Sequence, residues 1–366
     1  MRRVLLLCGS LLLVASLVCA EPELNVRDFG AKGDGVTDDT GAIKAAFAEA
    51  AKRVISYQPL PGQAYVNSLP VLHFPQGKYL LSSPLAPTCH MSGEGNPVLI
   101  QPDPTVDLIV HNNCWRWRIE GFTFVGGRDQ LSLGNNNIDT GRIVIEKCVF
   151  QNAAGCAVRM GDQSFSTLLT ITDCVLYNCR QALINWCDMA RVNDTWISTA
   201  PAMKDQAVIE NHGWLTLEHV LGVPMVVEAN DQRWIDNYNG VTCRNTRFGG
   251  EFGGFTAVVN KVHYNYKYPV IPTYVILEAC HVYCINNPKR RAAIWCDEIP
   301  NQIVVRDCTG FPDLPVVKVS EKLDLSTYFK EAEARGEVCL RYCIDPAQVE
   351  LRLRELPEAM RKYEVK

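Results

Sequence analysis

Short runs of alternating apolar and polar residues recur along the middle of the chain, from about residue 118 to residue 310. Two clear copies are 144–150, Val-Ile-Glu-Lys-Cys-Val-Phe, and 170–176, Thr-Ile-Thr-Asp-Cys-Val-Leu. Alternation of this kind is typical of a β-strand with one buried face. The other copies share an apolar central residue and are centred on Ile119, Val192, Leu217, Cys243, Leu277 and Val305.

The spacing of these copies is nearly constant, because successive centres lie 26, 26, 21, 25, 26, 34 and 28 residues apart. A period of this size indicates one small structural unit that stacks repeatedly into a solenoid. The repeat therefore predicts an all-β solenoid for the central part of the chain.

A second short strand is predicted after each turn, in segments that share an apolar/polar alternation: 156–160, 182–186, 207–211, 225–229 and 257–260. Side chains alternate across a strand, so apolar first, third and fifth residues that point inward leave the fourth residue outside. This pattern predicts an outward polar column of Arg159, Asn185, Glu210, Glu228 and Asn260. Strand interiors disfavour Glu, Asn and Asp, so the column favours a functional site over an ordinary solvated face.

A stretch rich in glycine and aspartate, at 28–39, precedes a helical pattern. Asp39 or Thr40 can cap this helix, and Ile43, Phe47 and Val54 lie on one face. A helix with an apolar stripe can cover one open end of a solenoid. Residues 324–336 and 346–363 also read as helices, which we expect to cover the other end.

Residues 28–40 read Asp-Phe-Gly-Ala-Lys-Gly-Asp-Gly-Val-Thr-Asp-Asp-Thr. This stretch resembles the opening motif of the pectate-lyase-like superfamily, Asp-Phe-Gly-Ala-x-Gly-Asp-Gly-x-x-Asp-Asp-Thr, at every fixed position, and 72–80 and 93–95 resemble its first strands. The resemblance implies a single-stranded right-handed parallel β-helix with an N-terminal capping helix and C-terminal helices. It also implies that the aspartates of the opening loop, Asp34, Asp38 and Asp39, are structural.

The resemblance leaves the reaction open, because the superfamily includes polygalacturonases, rhamnogalacturonases, lyases, epimerases and phage tail spikes. It implies that a carbohydrate polymer binds along the outer face of the coil. The Asp-Asp pair and the Gly-His-Gly motif of polygalacturonases are absent here, and His212-Gly213 is only a weak echo of the second.

The first twenty residues have the pattern of an export signal, with Arg2-Arg3, an apolar run from Val4 to Val18, and Ala20 at the expected cleavage point. We therefore predict a signal peptide at 1–20, a capped β-helix at 21–320, and a helical segment at 321–366. The predicted localisation is secreted or periplasmic, without a membrane segment after cleavage. A monomer is favoured, with a homo-oligomer as the alternative.

Charge and cysteine content change this picture only slightly. The formal net charge is −4, and loss of the two arginines in residues 1–20 makes it −6, which argues against nucleic-acid binding. The cysteines that share one repeat position are expected to stack as buried thiols: Cys148, Cys174, Cys280 and Cys308. Disulfides are more plausible for Cys284 with Cys296 and for Cys339 with Cys343.

Glycosidic bond cleavage needs one carboxylic acid and one carboxylate, so we predict Glu210, Glu228 and Asp231 as catalytic residues. A Glu210–Glu228 pair would suit retention of configuration, and a wider Glu210–Asp231 pair would suit inversion. Arg159 can hold a uronate carboxylate. The other predicted substrate-binding residues are polar or aromatic: Asn185, Asp188, Asn260, Tyr264 and Trp186.

The preferred hypothesis is thus a glycoside hydrolase that acts on an acidic, pectin-like polysaccharide, without a metal or cofactor. The first alternative is a lyase, whose base would be Lys261, His263 or Arg159. For such a lyase, the candidate calcium ligands are Asp162, Asp188 and Glu210. The second alternative is a non-catalytic protein that binds glycans or serves as a cell-surface structure.

Overall fold

Short parallel strands that coil around one axis make up most of the chain. The computed structural model describes residues 23–58, 61, 66–112, 115–134, 140–161, 166–199, 206–223, 232–249, 255–261, 273–282, 292–298, 300, 302–310, 317–320, 341–343 and 349–350. The first elements are β1 (Leu24–Asn25), a 3-10 helix (Val26–Phe29), β2 (Asp34–Asp38), α1 (Thr40–Lys52), β3 (Ile55–Tyr57), β4 (Val66–Ser68), β5 (Val71–Phe74), β6 (Lys78–Leu80), β7 (His90–Gly93), β8 (Val98–Gln101), β9 (Ile109–His111), β10 (Arg118–Glu120), β11 (Thr123–Gly126) and β12 (Leu131–Leu133).

The remaining described elements are all strands: β13 (Thr140–Glu146), β14 (Val149–Gln151), β15 (Cys156–Met160), β16 (Ser166–Thr172), β17 (Val175–Cys179), β18 (Gln181–Asn185), β19 (Met189–Asn193), β20 (Trp196–Thr199), β21 (Ala207–Asn211), β22 (Trp214–Glu218), β23 (Leu221–Val223), β24 (Gln232–Asn237), β25 (Gly240–Arg244), β26 (Arg247–Phe248), β27 (Phe255–Asn260), β28 (Tyr274–Glu278), β29 (His281–Val282), β30 (Ile294–Cys296), β31 (Gln302–Arg306), β32 (Val317–Val319), β33 (Arg341–Cys343) and β34 (Val349–Glu350).

Three long parallel sheets run along the coil, and each turn of the coil adds one strand to each sheet. The first sheet has the order β1-β5-β7-β10-β13-β16-β19-β22-β25-β28-β31-β33. The second has the order β2-β6-β8-β11-β14-β17-β20-β23-β26-β29, and the third runs from β9 through β12, β15, β18, β21, β24, β27, β30 and β32 to β34. The fold is the predicted right-handed parallel β-helix. Only the β3–β4 hairpin is antiparallel among the described strands.

The repeat centres seen in the sequence form a continuous column inside the first sheet. Ile119 pairs with Ile145, Ile145 with Ile171, and the register then continues through Val192, Leu217, Cys243, Leu277 and Val305. The members from Ile119 to Leu277 are at most 2% exposed. The column therefore confirms the predicted period and buries the apolar face of every rung against the other two sheets.

Two-residue turns connect the first sheet to the second. The first turn residue has a φ between 46° and 54° in the rungs of Lys147, Asp173, Asp194, His219, Asn245, Ala279 and Asp307. This left-handed conformation reverses the chain sharply and directs the next side chain inward. Cys148, Cys174 and Cys280 occupy that inward place and are at most 2% exposed, and the half-buried Cys308 follows.

The cysteine column is confirmed as a stack of free thiols, because the ten cysteines with described side chains are all free. The backbone N–H of Cys148 donates to Sγ of Cys174 at 3.4 Å, and Cys280 N–H donates to Cys308 Sγ at the same distance. Cys296 is also a buried free thiol, which contradicts the predicted bridge to Cys284. The side chains of Cys284, Cys339 and Cys343 lie outside the described residues.

A ladder of buried asparagines runs up the inner side of the third sheet at the ends of its strands. Asn185 Nδ2 donates to Asn211 Oδ1 at 2.8 Å, Asn211 Nδ2 donates to Asn237 Oδ1 at 2.8 Å, and Asn237 Nδ2 donates to Asn260 Oδ1 at 2.9 Å. All four are at most 1% exposed. Their side chains also bond to the turn backbone, as Asn211 does to the carbonyls of Gly213 and Gly240.

This ladder corrects the predicted outward positions of Asn185 and Asn260. Both side chains are buried and hydrogen-bonded inside the coil, so neither can reach a bound polymer. The prediction was wrong because a shift of one residue moves a strand's side chains to the opposite face. In β18 the outward residue is Ile184, which stands in register between Arg159 and Glu210.

The helix α1 caps the N-terminal end of the coil, as predicted. Its buried face includes Ile43, Ala46, Phe47 and Ala50, which join the core, while Val54 lies beyond its last turn. Asp39 is the N-cap residue, but its carboxylate accepts hydrogen bonds from the backbone of Lys32 and Gly33 at 2.6 and 2.9 Å. The opening loop is thus closed by its own aspartates.

The far end differs from the sequence prediction at two residues. Val349 and Glu350 form a strand that pairs with β32, whereas the sequence predicts helix from 346 to 363. The open edge of β32 offers unpaired backbone groups, and a strand satisfies them while a helix cannot. The other residues of both predicted C-terminal helices, and residues 1–20, lie outside the described residues. In the described part of the chain, no helix is long and apolar enough to cross a membrane.

Replacing Asn211 by alanine tests the ladder. The change leaves the amide of Asn185 without its acceptor and two turn carbonyls without their donor, in a buried place. We expect the free energy of unfolding to fall by about 3 kcal/mol. Denaturant unfolding measures this loss, and Asn193→Ala on the outer face of the first sheet is the matched control, with an expected change below about 1 kcal/mol. Equal losses would contradict a special role for the ladder.

Acid should loosen the opening loop through Asp38. Hydrogen bonds from the Ser82 hydroxyl and from Thr40 lower the pKa of Asp38 from 3.8 to about 2. A lowered folded-state pKa means that this stabilisation is complete above about pH 5 and is lost as the pH falls toward 2. Asp38→Asn should therefore lower the melting temperature at pH 7 and flatten its decline between pH 5 and pH 2. Asp173→Asn, at an exposed turn, should leave that decline unchanged.

Candidate active site

The outer face of the third sheet carries one continuous column of side chains, set by the strand register. In order along the coil, the column contains Arg159, Ile184, Glu210, Asp236, Val259, Trp295 and Lys318. In each rung, the residue directly after the ladder position also points outward. These residues form a second outward column that contains Trp186, His212, Tyr238, Lys261 and Asp297. We call these two columns together the outer strip.

Arg159 marks one end of the outer strip. Its Nε donates to Asp129 Oδ2 at 2.7 Å, and the Asp129 side chain is only 3% exposed. Asp129 Oδ1 also accepts from the backbone N–H of Cys156 at 2.8 Å. This arrangement holds the guanidinium in place while 34% of the Arg159 side chain stays exposed. Arg159 therefore presents a positioned positive charge to the surface.

Glu210 and His212 form a hydrogen-bonded pair in the middle of the outer strip. His212 Nε2 and Glu210 Oε1 are 2.6 Å apart, and the histidine side chain is 3% exposed whereas Glu210 is 35% exposed. The hydrogen bond from His212 is the main cause that lowers the pKa of Glu210, and the charge of Arg159 acts in the same direction. Glu210 is therefore a carboxylate at neutral pH, with a histidine proton directly beside it.

Two aromatic rings clamp the imidazole of His212. The Trp186 ring lies 3.5 Å away with an interplanar angle of 3°, and the Tyr238 ring lies 4.4 Å away on the other side with an angle of 8°. The three residues occupy the same place in successive rungs, so the stack follows directly from the strand register. The two rings fix the plane of the imidazole and so direct its Nε2 toward Glu210.

Asp236 lies directly opposite Glu210 on the neighbouring strand. Arg233 holds it from the same strand, with Nε to Oδ1 at 2.6 Å and a second N–H to Oδ2 at 3.0 Å. Both side chains are only 10% exposed. Lys261 Nζ lies 3.8 Å from Asp236 and 3.5 Å from Asp297, so it joins the two carboxylates.

The outer strip thus brings two carboxylates, a histidine proton and several cations to one face. Glu210 and Asp236 stand one strand apart, which is about 4.8 Å between backbones. Buried charges that lack partners are costly, and the charges of Arg159, Asp236 and Lys261 each have a partner of opposite sign. The described residues include no group of three or more His, Cys, Asp or Glu side chains arranged to hold a metal ion.

The predicted site residues fall into three groups. Arg159, Glu210 and Trp186 lie in the outer strip, and Asp188 is exposed in the adjoining turn to the first sheet. Asn185 and Asn260 lie inside the coil. Glu228, Asp231 and Tyr264, like Asp162 and His263 of the lyase alternative, lie outside the described residues.

The pairing of β21 with β24 corrects the expected neighbour of Glu210. The alternation in the sequence predicts segment 225–229 as that neighbour, with Glu228 outward, but the third sheet uses 232–237 and places Asp236 there. The sequence pattern therefore did not identify three site residues, Asp129, Arg233 and Asp236. It also gave His212 too little weight. The asparagines at 185, 211 and 237, each 26 residues apart, were the signal that aligns these strands correctly.

Fold and site together define a capped parallel β-helix with a charged and aromatic outer strip. Residues 24–114 match the family described as rhamnogalacturonase A/epimerase, pectate lyase-like. The resemblance to the pectate-lyase-like superfamily, inferred above from the opening loop, is therefore confirmed. The matched segment includes the cap and the first rungs and ends before the outer strip.

Curated relatives match only parts of the chain. A non-secreted LysM effector, LysM19 from Penicillium expansum, is 34% identical over 113 residues, which are 31% of this chain and 8% of that protein. A glucan 1,3-beta-glucosidase from Cochliobolus carbonum is 38% identical over 61 residues, which are 17% of this chain and 7% of that protein. The chain thus spans less than a tenth of the length of these relatives.

Among the solved structures that resemble this chain is that of PfbA, a surface adhesin of Streptococcus pneumoniae. It is 12% identical with a TM-score of 0.39, and the superposition covers 79% of this chain and 89% of PfbA.

The ion pair beneath the site can be tested by Arg233→Met. This change leaves Asp236 mostly buried without its bidentate partner, so the free energy of unfolding should fall by about 3 kcal/mol. Arg118→Met is the matched control, because Arg118 is 51% exposed in its ion pair with Glu146 and should cost less than about 1 kcal/mol. Similar losses for both variants in denaturant unfolding would contradict this account of the Arg233–Asp236 pair.

Proposed function

We propose that this protein is a glycoside hydrolase that cleaves an acidic polysaccharide bound along the outer strip. The observation that carries the proposal is the register of Glu210 opposite Asp236 on the outer face. Because neighbouring strands lie about 4.8 Å apart, the two side chains leave the sheet next to each other, as the paired carboxylates of a glycosidase require. The family description for residues 24–114 names carbohydrate-active enzymes, which supports the same class.

The two carboxylates have different surroundings and so take different roles. Glu210 takes up a proton from solvent and gives it to the leaving glycosidic oxygen, and the 2.6 Å hydrogen bond to His212 holds its carboxyl group in place. Asp236, whose charge Arg233 compensates, attacks the anomeric carbon as the glycosidic oxygen leaves. Glu210 then takes a proton from a water molecule, whose oxygen displaces Asp236 from the anomeric carbon and releases the sugar. Arg159 binds a carboxylate of the polymer from one end of the strip.

The described cations favour hydrolysis over the lyase alternative. A lyase needs a basic side chain that removes a proton from carbon. Lys261 lies between Asp236 and Asp297, and Arg159 is bound to Asp129, so both candidates already make ion pairs with carboxylates. Two facing carboxylates with a neighbouring proton donor fit acid-catalysed cleavage better.

A panel of acidic and neutral polysaccharides tests the proposal. New reducing ends without unsaturated, near-ultraviolet-absorbing products are expected from at least one acidic polymer. Glu210→Gln and Asp236→Asn should each lower kcat by about 100-fold or more, because each removes a group that acts in the transition state. Glu218→Gln, on the outer face of the first sheet, is the matched control and should keep wild-type activity.

Other outcomes separate the alternatives. Unsaturated products would identify a lyase. Full activity in both Glu210→Gln and Asp236→Asn would place the reaction elsewhere on the molecule. Binding of a polymer without any product would identify a glycan-binding protein. Thermal unfolding of each variant shows whether a lost activity reflects lost chemistry or lost structure.

A further inference from the structure

Two side chains continue the outer strip beyond Asp236, at the end opposite Arg159. The register places Trp295 two strands beyond Asp236 and Lys318 one strand further. At about 4.8 Å per strand, these positions lie about 10 and 14 Å from Asp236 along the coil. Both side chains are half-buried. They therefore stand in line with the proposed reaction centre and apart from it.

The indole of Trp295 is fixed in position. Its Nε1 donates to Asp297 Oδ1 at 3.0 Å, which sets the direction of the ring. Val259, the outward residue between Asp236 and Trp295, is fully buried, so it makes no contact of its own with a ligand. The ammonium nitrogen of Lys318 lies 6.0 Å from the centroid of the Trp295 ring. The cation thus lies over the aromatic ring, and the two side chains form one contact on the same surface.

This combination matches the chemistry of a uronic acid. One face of a pyranose ring carries mostly C–H groups and packs against an indole, while the carboxylate at its edge pairs with an ammonium group. Lys261, the nearest cation toward the reaction centre, already lies between Asp236 and Asp297. Lys318 is therefore the better-placed cation for an incoming carboxylate at this end.

We propose that Trp295 and Lys318 form a distal subsite for a uronate residue of the polymer, with the exposed part of the Trp295 ring against the sugar and Lys318 at its carboxylate. The inference rests on the proposed function, because it takes Glu210 and Asp236 as the place of cleavage. Arg159 and Lys318 then stand at opposite ends of the strip, six strands or about 29 Å apart. A polymer with acid groups along its length fits this distribution of charge.

The test compares polygalacturonate with its fully methyl-esterified form, which keeps the sugar rings and removes the charges. Lys318→Gln should raise KM for polygalacturonate by about threefold to tenfold, leave kcat unchanged, and leave KM for the ester unchanged. The effect should shrink in high salt. Lys318→Arg should keep the wild-type KM, and Lys52→Gln on the exposed face of α1 is the control for loss of one positive charge.

Trp295 provides a second, charge-independent readout. Trp295→Ala should raise KM for both polymers, because ring stacking does not depend on the carboxylate, and Trp295→Phe should recover much of the loss. Unchanged KM for polygalacturonate in Lys318→Gln, with product still formed, would overturn the subsite and leave the hydrolase in place. A selective rise in KM for polygalacturonate supports it.

A failure of the hydrolase proposal is distinguishable from a failure of the subsite. If the wild-type protein forms no product, electrophoresis in gels that contain polygalacturonate measures binding directly. Retardation of the wild-type protein that Lys318→Gln loses would support the subsite without catalysis. Equal mobility of the two proteins, or no retardation of either, would overturn it.

Discussion

Register between neighbouring parallel strands is the constraint on which the rest of this structure depends. Every rung repeats the same inward and outward places, and a shift of one residue would exchange core and surface along a whole strand. Apolar columns such as Ile119–Ile145–Ile171 fill the inside of the first sheet. The asparagine ladder adds a polar requirement, because each buried amide must meet both its neighbour and a turn carbonyl.

The same register that buries the asparagines assembles the outer strip. A residue just before a ladder asparagine, such as Glu210 or Asp236, points outward, and so does the residue just after it, such as His212 or Tyr238. The acid pair, the aromatic stack around His212 and the Trp295–Lys318 pair are thus consequences of one alignment. Loss of the ladder would therefore disturb the candidate site as well as the stability of the coil.

Partial burial gives the charges of the outer strip their chemical character. Asp129 and Asp236 are almost enclosed by protein, and each is matched by an arginine that reaches it from the same sheet. A complete buried ion pair changes the free energy of folding little, but removal of one partner is strongly destabilising because the other charge stays buried. Glu210 is more exposed and shares its hydrogen bond with a histidine, so its surroundings differ from those of Asp236. Two carboxylates in unlike environments are what acid–base division of labour requires.

The fold itself is compatible with several reactions and also with no catalysis, so any activity depends on these side chains and not on the coil. The family match also separates the coil from the outer side chains. The family match covers the cap and the first rungs, where the opening aspartates hold the loop closed, and stops at residue 114. The outer strip begins beyond it, so its chemistry is specific to the later rungs of this chain.

Local pattern alone determined the solenoid, its period, the capping helix and the cysteine stack. Each of these depends on spacing along the chain, and the repeat centres predicted the inner column residue by residue. The outer strip was only partly predictable. Segment 225–229 alternates in a way that suits a strand, and only the 26-residue spacing of Asn185, Asn211 and Asn237 indicates that 232–237 pairs with β21 instead.

Tertiary structure decided that question, and with it the neighbour of Glu210. Pairing of β24 brings Asn237 under Asn211 and so places Asp236 outside, with Arg233 at its side. Asn185 and Asn260 looked like surface residues because an isolated asparagine in a strand reads as polar and exposed. Only the stacked coil supplies the neighbouring amides and turn carbonyls that make burial of an asparagine favourable.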